Sequence, residues 1–172
     1  MPWYTSCEFL RYSLTEDPMG LNSLENELRA TALYLDIEKV RFAERLQLVT
    51  EIEPDVMNAE VPSLIFQPLV ENAVKYAVAD REMGGRIVLT AGLEGKTLLL
   101  KVSDDGPGLS PALSAKLTSG EEFQIDSGLG LSNTRKRLYH LYGDSGQLEF
   151  SRAEIGGLSV CMRLPFVAIA VE

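Results

Sequence analysis

The spacing of apolar residues along the chain predicts an N-terminal helical part followed by an α/β part. Leucines recur at helical spacing after Asn22 and Ser23, either of which can cap a helix, and this pattern ends around residues 41–44. Residues 46–52 then alternate between apolar and polar side chains, as a half-buried strand does. A helix followed by a strand therefore opens the predicted fold.

The following segments predict a small mixed domain. The predicted elements are a helix over residues 62–78, a hairpin of strands 86–93 and 96–103, a helix over residues 131–141, and a hairpin of strands 146–152 and 158–164. Pro68 lies inside the first of these helices and is tolerable only near its start or at a kink. Residues 109–127 have weak periodicity and predict a mobile lid. We expect a helical segment over residues 1–45 and a second domain over residues 46–168.

Composition and charge limit the function classes that this chain can serve. Its 172 residues are 45% hydrophobic, which is enough for one well-cored domain with a short appendage. A formal net charge of -9 argues against a general nucleic-acid surface, because such a surface needs clustered Lys and Arg. No apolar run approaches the roughly 18 residues of a membrane helix, so we expect no membrane contact by this domain. Cys7 and Cys161 lack metal-site spacing, and we interpret them as reduced thiols of a cytosolic domain.

Three polar side chains converge on one rim of the helix predicted over residues 62–78. Glu71 and Lys75 are four positions apart and share a face, and Asn72 lies one step around the helix. A carboxylate, a neutral oxygen and an ammonium suit a magnesium-bound triphosphate, since the metal takes oxygen ligands and the phosphates need positive charge. The alternative from this helix alone is an ordinary surface salt bridge between Glu71 and Lys75.

Asp104 ends a predicted strand in the same alternation phase as the apolar residues of that strand, so its carboxylate should point inward. A buried carboxylate needs a hydrogen-bond donor. The exocyclic amine of adenine is such a donor, whereas guanine would present an acceptor oxygen. Gly106 and Gly108 would let the backbone approach the base without a Cβ in the way. The alternative is an Asp-Gly turn that binds no ligand.

Gly128 and Gly130 open the helix predicted over residues 131–141 and place unpaired backbone amides at a glycine-lined mouth. The positive end of the helix dipole makes such a mouth suitable for anions. The run Arg135-Lys136-Arg137 could add charge, but consecutive residues cannot all face the same way. We interpret His140, the only histidine, as a packing or surface residue rather than a catalytic one.

The three motifs resemble, in this order, the ATP-binding boxes of one protein family. Residues 71–76, Glu-Asn-Ala-Val-Lys-Tyr, resemble the asparagine box. Residues 104–108, Asp-Asp-Gly-Pro-Gly, resemble the first glycine box, and residues 128–131, Gly-Leu-Gly-Leu, resemble the second. This GHKL fold is shared by histidine kinases, DNA gyrase and a heat-shock chaperone family. Over roughly residues 9–165 the chain is similar to LytS/YehU-type sensor histidine kinases.

The resemblance implies an α/β (α+β) two-layer sandwich, the GHKL or Bergerat fold, with a mixed, mostly antiparallel sheet packed against helices. It implies ATP and Mg²⁺ as cofactors. Glu71 would assist the chemistry, Asn72 would coordinate magnesium, Lys75 would meet phosphate, and Asp104 would read adenine. The implied nucleotide-binding residues are Asn72, Lys75, Tyr76, Asp104, Gly106, Gly108, Gly128, Leu129, Gly130 and Leu131.

One departure from the family concerns the phosphate acceptor. The family's acceptor histidine lies on a helix before the ATP domain, and no histidine precedes His140 here. We therefore expect a fragment that transfers the ATP γ-phosphoryl to a histidine-bearing helical region of its own kinase, and from there to a response regulator. The resemblance implies a homodimeric parent anchored in the inner membrane, with this domain in the cytoplasm. An anti-sigma-factor-type serine kinase and a non-catalytic nucleotide-sensing module stay open as alternatives.

Overall fold

The computed structural model of this chain describes residues 20–109 and 129–169. The helices are α1 (Leu24–Phe42), α2 (Gln67–Ala73), which continues as a π-helical stretch (Val74–Ala79), and α3 (Leu129–Tyr142). The strands are β1 (Leu21–Ser23), β2 (Leu46–Ile52), β3 (Glu60–Pro62), β4 (Gly85–Glu94), β5 (Thr97–Asp104), β6 (Gln147–Arg152) and β7 (Leu158–Pro165). None of these described helices is both long and apolar enough to cross a membrane.

Two predicted segments lie largely outside this description. The predicted lid at residues 109–127 falls outside the described residues except for Leu109. The first nineteen residues of the predicted helical segment also fall outside them. The lid and the start of the segment therefore stay predictions.

Helix α1 begins and ends where its sequence chemistry favours helix termini. The hydroxyl oxygen of Ser23 accepts a hydrogen bond from the amide of Asn26 at 3.2 Å, which caps the first turn. Acidic residues lie in the first turn and basic residues in the last turn, as the helix dipole favours. The predicted helix after Ser23 is confirmed, and β2 covers the predicted strand at residues 46–52.

The main sheet has five strands in the order β2-β4-β5-β7-β6. β2 and β4 pair in parallel, and the other neighbours pair antiparallel. A parallel pair needs a crossover connection, and α2 lies within the segment that joins β2 to β4. The predicted mixed, mostly antiparallel sheet is therefore confirmed. A separate two-stranded ladder pairs β1 with β3, and strands of three residues carry too little alternation to be predicted.

The helices cover one face of the main sheet and form the second layer of the sandwich. The buried apolar side chains of the sheet include Ile87, Leu89, Ala91, Leu98, Leu100, Val102, Leu148, Val160, Met162 and Leu164. The helical layer contributes Leu69, Val70, Val74, Ala77, Val78 and Leu138, among others. Asp104 shares the inward phase of β5, so the sheet carries a carboxylate into the interlayer space.

The helix predicted over residues 62–78 begins later than expected, at Gln67. Pro62 belongs instead to β3, where it pairs with Leu21. Leu64 has a φ of 57°, which helical residues do not adopt. Pro68 lies in the first turn of α2, where its missing amide leaves no helical hydrogen bond unmade.

Candidate functional site

Asn72 lies near the end of α2, just before the helix widens into its π-helical stretch. The side chain is 8% exposed, and its Oδ1 is buried without a hydrogen-bond partner in the described part of the chain. Leaving a buried acceptor unpaired costs about 1–3 kcal/mol. The oxygen is thus available to a ligand, and π-helical widening is frequent at functional sites.

Glu71 and Lys75 do not form the simple ion pair considered from the sequence. Glu71 is exposed, and its Oε1 accepts a hydrogen bond from Nε2 of Gln67 at 2.6 Å. The Lys75 ammonium lies 4.8 Å from the centre of the Tyr76 ring, in cation–π geometry. Both charges therefore reach the exposed rim beside Asn72 without neutralising each other.

Tyr34 of helix α1 lies close enough to Glu71 for the charge of that carboxylate to affect its pKa. The pKa of Tyr34 is raised by burial first, and then by the negative charges of Glu38 and Glu71. The Arg41 guanidinium acts in the opposite direction. Tyr34 is therefore neutral beside these carboxylates, and none of the three sequence motifs includes it.

Asp104 occupies the last position of β5 and is only 4% exposed. Its Oδ1 accepts hydrogen bonds from the backbone amides of Gly106 at 2.8 Å and Leu158 at 3.2 Å. Desolvation raises the pKa of this carboxyl, and the two amide hydrogen bonds act against that rise. The second carboxylate oxygen makes no hydrogen bond to any described residue. It is therefore a well-oriented acceptor with free capacity.

Glycines permit the close backbone approaches around Asp104. A Cβ at Gly106 would lie 2.9 Å from Oδ1 of Asp104 and 3.1 Å from the Cα of Ala77. Gly108 has a φ of 72°, a left-handed conformation that favours glycine. These two glycines thus allow the turn to fold back against the π-helical stretch.

Gly157, at the start of the neighbouring strand, is a site residue that the sequence interpretation missed. Its amide donates to the backbone oxygen of Asp104 at 3.0 Å. A Cβ at Gly157 would lie 2.3 Å from Oδ1 of Asp104, so any larger residue would force Asp104 or its turn to shift. The sequence predicts only that residues 153–157 connect the two strands of a hairpin, and nothing local indicates that Gly157 lies beside Asp104.

Helix α3 begins at Leu129, two residues before the predicted start, so Gly130 and Leu131 lie in its first turn. Leu131 is buried, and a Cβ at Gly130 would lie 3.3 Å from the Cβ of Pro68. Gly130 therefore allows α3 to approach the start of α2. Gly128 lies outside the described residues.

Arg135 and Arg137 of α3 contact different parts of the fold. Arg137 donates to the backbone oxygens of Ser63 at 2.6 Å and Gly20 at 3.4 Å, and so ties α3 to the segments around β1 and β3. The Arg135 guanidinium lies 5.6 Å from the Phe150 ring centre. His140 is exposed, as the surface interpretation expected. The structure thus separates the residues of this run as the sequence analysis expected.

The described parts of all three motifs border one helix. The Asp104 turn contacts α2 and its continuation at Ala77, and α3 contacts α2 at Pro68. These two positions are nine residues apart, or about 13 Å along a helix axis. Asn72 lies between them. The geometry suits an elongated ligand with a donor group at one end and negative charge at the other.

Comparison with known proteins identifies relatives of this arrangement. The family described as Histidine kinase-, DNA gyrase B-, and HSP90-like ATPase matches residues 58–168. The uncharacterised protein YwpD of Bacillus subtilis (strain 168) is 37% identical over 156 residues, which cover 90% of this chain and 54% of YwpD.

Two sensor proteins are also similar. Sensor protein LytS of Streptococcus mutans serotype c is 34% identical over 161 residues, covering 92% of this chain and 27% of LytS. Sensor histidine kinase BtsS of Escherichia coli (strain K12) is 30% identical over 158 residues, covering 92% of this chain and 26% of BtsS. The chain therefore spans about half of YwpD and about a quarter of each sensor protein.

Solved structures share the fold. The nucleotide-free catalytic domain of histidine kinase ThkA superposes with a TM-score of 0.66 at 19% identity, covering 85% of this chain and 96% of that domain. Mycobacterial sensor histidine kinase MprB gives a TM-score of 0.61 at 18% identity, covering 87% of this chain and 99% of that structure. These structures confirm the predicted GHKL sandwich, and the LytS and BtsS matches confirm the predicted resemblance to sensor histidine kinases. The chain belongs to the histidine kinase-, DNA gyrase B- and HSP90-like ATPase family.

Proposed function

We propose that this chain is the ATP-binding catalytic domain of a sensor histidine kinase. The domain would transfer the γ-phosphoryl group of ATP to a histidine on a separate helical region of the same kinase. That histidine would then pass the phosphoryl group to a response regulator. The observation that carries this proposal is the buried Asp104 carboxylate, held by two backbone amides with its second oxygen free, beside the helix that bears Asn72.

Asp104 would read the base. Its Oδ1 is already engaged by the Gly106 and Leu158 amides, so the second oxygen can accept from the exocyclic amine of adenine. Guanine would direct an acceptor oxygen at this carboxylate, and two acceptors without a proton between them repel each other. Gly106 and Gly108 would lie under the base. This arrangement supports ATP over GTP as the ligand.

Asn72 would coordinate magnesium. Its unpaired, buried Oδ1 fits a hard cation that takes oxygen ligands, and the described residues hold no cluster of three or more His, Cys, Asp or Glu side chains. Magnesium in kinases is held by few protein groups together with substrate phosphates. When bound, the ion would neutralise charge on the phosphates.

The exposed rim would serve the transferring group. Glu71 would orient the attacking nitrogen or accept its proton. Lys75 would contact phosphate oxygens, and the ring of Tyr76 packs against the Lys75 ammonium. Gly128, Leu129, Gly130 and Leu131 would form the phosphate mouth at the start of α3. Backbone amides in a first helical turn suit that role.

The acceptor would be supplied from outside the described fold. His140 is the only histidine of the chain and lies eleven residues after Leu129, or about 16 Å along α3. In-line transfer needs the acceptor within contact distance of the γ-phosphate. We therefore expect no phosphorylation of His140 within one molecule.

Similarity to LytS and BtsS favours a histidine kinase over an anti-sigma-factor-type serine kinase. The cytoplasmic location, the homodimeric parent and its anchor in the inner membrane remain parts of the same proposal. They follow from the family resemblance stated for the sequence.

A phosphotransfer assay tests the proposal. The chain is incubated with labelled ATP, Mg²⁺ and a separately supplied helical hairpin that bears the acceptor histidine. We expect acid-labile phosphate on the hairpin, none on the chain, and a large loss with Asp104→Ala. Acid-stable phosphate on a supplied protein substrate that bears an acceptor serine would favour the anti-sigma-factor-type serine kinase. Nucleotide binding without any transfer would favour the sensing module.

A further inference from the structure

We propose that Arg81 is a positioning residue for adenine recognition, because it holds the turn that carries Asp104 through the neighbouring carboxylate of Asp105. This inference rests on the proposed function, in which Asp104 reads the base. The three motifs of the sequence interpretation do not include Arg81, and they assign no role to Asp105.

Arg81 grips Asp105 at two points. Its Nη1 donates to the backbone oxygen of Asp105 at 2.8 Å and to Oδ1 of the Asp105 side chain at 2.9 Å. The same Oδ1 accepts from the amide of Arg86 at 2.9 Å, and the amide of Asp105 donates to the backbone oxygen of Arg86 at 3.2 Å. Asp105 is thereby tied both to the start of β4 and to the segment that follows the π-helical stretch.

Arg81 is itself held by the backbone around it. Its amide donates to the carbonyl of Val78 at 3.3 Å, and its carbonyl accepts from the amide of Gly84 at 3.0 Å. Nη2 of Arg45 donates to the same carbonyl and also to that of Val78, at 3.2 Å for the latter. A Cβ at Gly85 would lie 2.2 Å from the backbone oxygen of Ala77, so the segment packs directly on the helix end. The side chain of Arg81 therefore extends from a backbone segment that is held in place.

The hydrogen bonds from Arg81 to Asp105, called the clamp below, fix the residue next to the one that would bind the base. Asp104 and Asp105 are consecutive, and the turn continues at once to Gly106, whose amide donates to Oδ1 of Asp104. If Arg81 were removed, Asp105 would keep only backbone ties, and the orientation of the Asp104 carboxylate would be less well defined. A misplaced acceptor weakens a directed hydrogen bond steeply.

The charge of Arg81 should also favour adenine binding. The negative charge of Asp105 raises the pKa of Asp104, whereas the positive charge of Arg81 lowers it. Arg81 thus favours the ionised carboxylate that accepts from the amine. The Arg81 and Asp105 side chains are 38% and 30% exposed, and ion pairs this exposed contribute little to stability. The effect on base selectivity should therefore exceed the effect on unfolding.

Base selectivity is the readout that a merely structural role would not move. Affinities are measured for ATP and for purine riboside triphosphate, which lacks the exocyclic amine. In Arg81→Ala we expect the Kd for ATP to rise about tenfold while that for the analogue changes less than about twofold. Arg81→Lys should recover part of the selectivity because it retains the charge. Arg86→Ala is the matched control, since it removes an adjacent arginine whose exposed side chain makes none of the contacts to Asp105.

Thermal unfolding is followed for each variant, and Asp105→Ala, which removes the oxygen that accepts from Arg81, serves as a second route if Arg81→Ala does not fold. Equal losses for both nucleotides, or unchanged selectivity in Arg81→Ala and Asp105→Ala, would overturn the positioning role of Arg81 alone. A wild-type chain that binds both nucleotides equally would overturn the base-reading role of Asp104 and the clamp with it. Selectivity lost equally in Arg86→Ala would show a general charge effect and would also overturn the positioning role.

Discussion

The two ends of the candidate site differ in how completely their polar groups are engaged. At the end proposed to bind the base, Asp104 is buried, and its backbone and side-chain oxygens accept from the amides of Gly106, Gly157 and Leu158. At the end proposed to bind the phosphates, Lys75 is exposed and the buried oxygen of Asn72 has no partner in the described residues. The hydrogen bonds that orient Asp104 thus form within the protein itself, whereas the oxygen of Asn72 keeps its capacity to bind a ligand.

This difference suggests a division of labour between recognition and chemistry. A preformed acceptor loses little on ordering, so it can select a base with a single hydrogen bond. Groups around a triphosphate and its metal gain their partners only when the charged ligand is present. Interactions made mainly in the transition state raise the rate rather than the affinity. Variants at the two ends should therefore separate affinity from transfer rate.

The largest expected effect is on transfer, from Glu71→Gln. We expect the rate of transfer to a supplied histidine hairpin to fall about 10²–10⁴-fold, because a positioned base or orienting group contributes on that scale. ADP affinity should change by less than about threefold, since the group acts chiefly in the transition state. Single-turnover kinetics and ADP titration measure the two effects. Glu82→Gln, an exposed residue in the loop after the helix, is the matched control. A broad loss of thermal stability instead would favour a structural role for Glu71.

Asp104→Asn should lower ATP affinity about ten- to a hundredfold, since the lost charge-assisted hydrogen bond is worth roughly 1.5–3 kcal/mol. The asparagine oxygen can still accept from Gly106 and Leu158, so the free energy of unfolding should be retained. A drop in stability as large as the loss of affinity would contradict the contrast between the two ends.

The pH dependence of ATP affinity tests the same carboxylate. Burial raises the folded-state pKa of Asp104 above its ordinary value of 3.8, so binding that needs the charged form is complete above the raised pKa. Affinity should fall as pH decreases through it. The free energy of unfolding should change in the opposite direction. Burial of the charged carboxylate destabilises the fold above the raised pKa, and this destabilisation is relieved as pH falls below it. Isothermal titration should detect this step in the wild type and not in Asp104→Asn.

Asn72→Ala should weaken ATP binding about tenfold in the presence of Mg²⁺ and much less in its absence, because one metal ligand is lost. The free energy of unfolding should not fall and should rise by up to about 1–3 kcal/mol, since the removed oxygen has no partner and its burial cost is relieved. Titrations with and without the metal, together with denaturant unfolding, measure both quantities. Thr31→Ala is a contrasting control, because Thr31 is buried and its hydroxyl donates to the Glu27 backbone oxygen at 2.8 Å.

The smallest expected effect is that of Gly130→Ala at the start of α3. Alanine is favoured over glycine in a helix by about 1 kcal/mol, and the added methyl would crowd Pro68 at 3.3 Å. The two effects should nearly cancel, leaving stability within about 1 kcal/mol of the wild type. Thermal denaturation measures the balance. A loss of several kcal/mol would show that the contact between α2 and α3 is more rigid than its geometry indicates.

Local patterns determined much of this fold. Alternation predicted the strands of the main sheet and the inward phase of Asp104, and Ser23 with its acidic first turn predicted the start of α1. The helix over residues 62–78 was misplaced at its start, because the buried position of Pro62 in β3 depends on pairing with a distant strand. The roles of Glu71, Asn72 and Lys75 stay predictions.

Alternation, capping chemistry and motif order depend on neighbours along the chain. The sequence by itself therefore determined the five strands of the main sheet, the presence of the three helices and the order of the three motifs. Only the tertiary structure placed Gly157 against Asp104, Arg81 on Asp105, and Arg137 on Ser63. These pairs join residues far apart in the chain. The first two pairs form because the strand order brings the end of β5, the start of β7 and the loop before β4 to one end of the sheet, and no local pattern encodes that order.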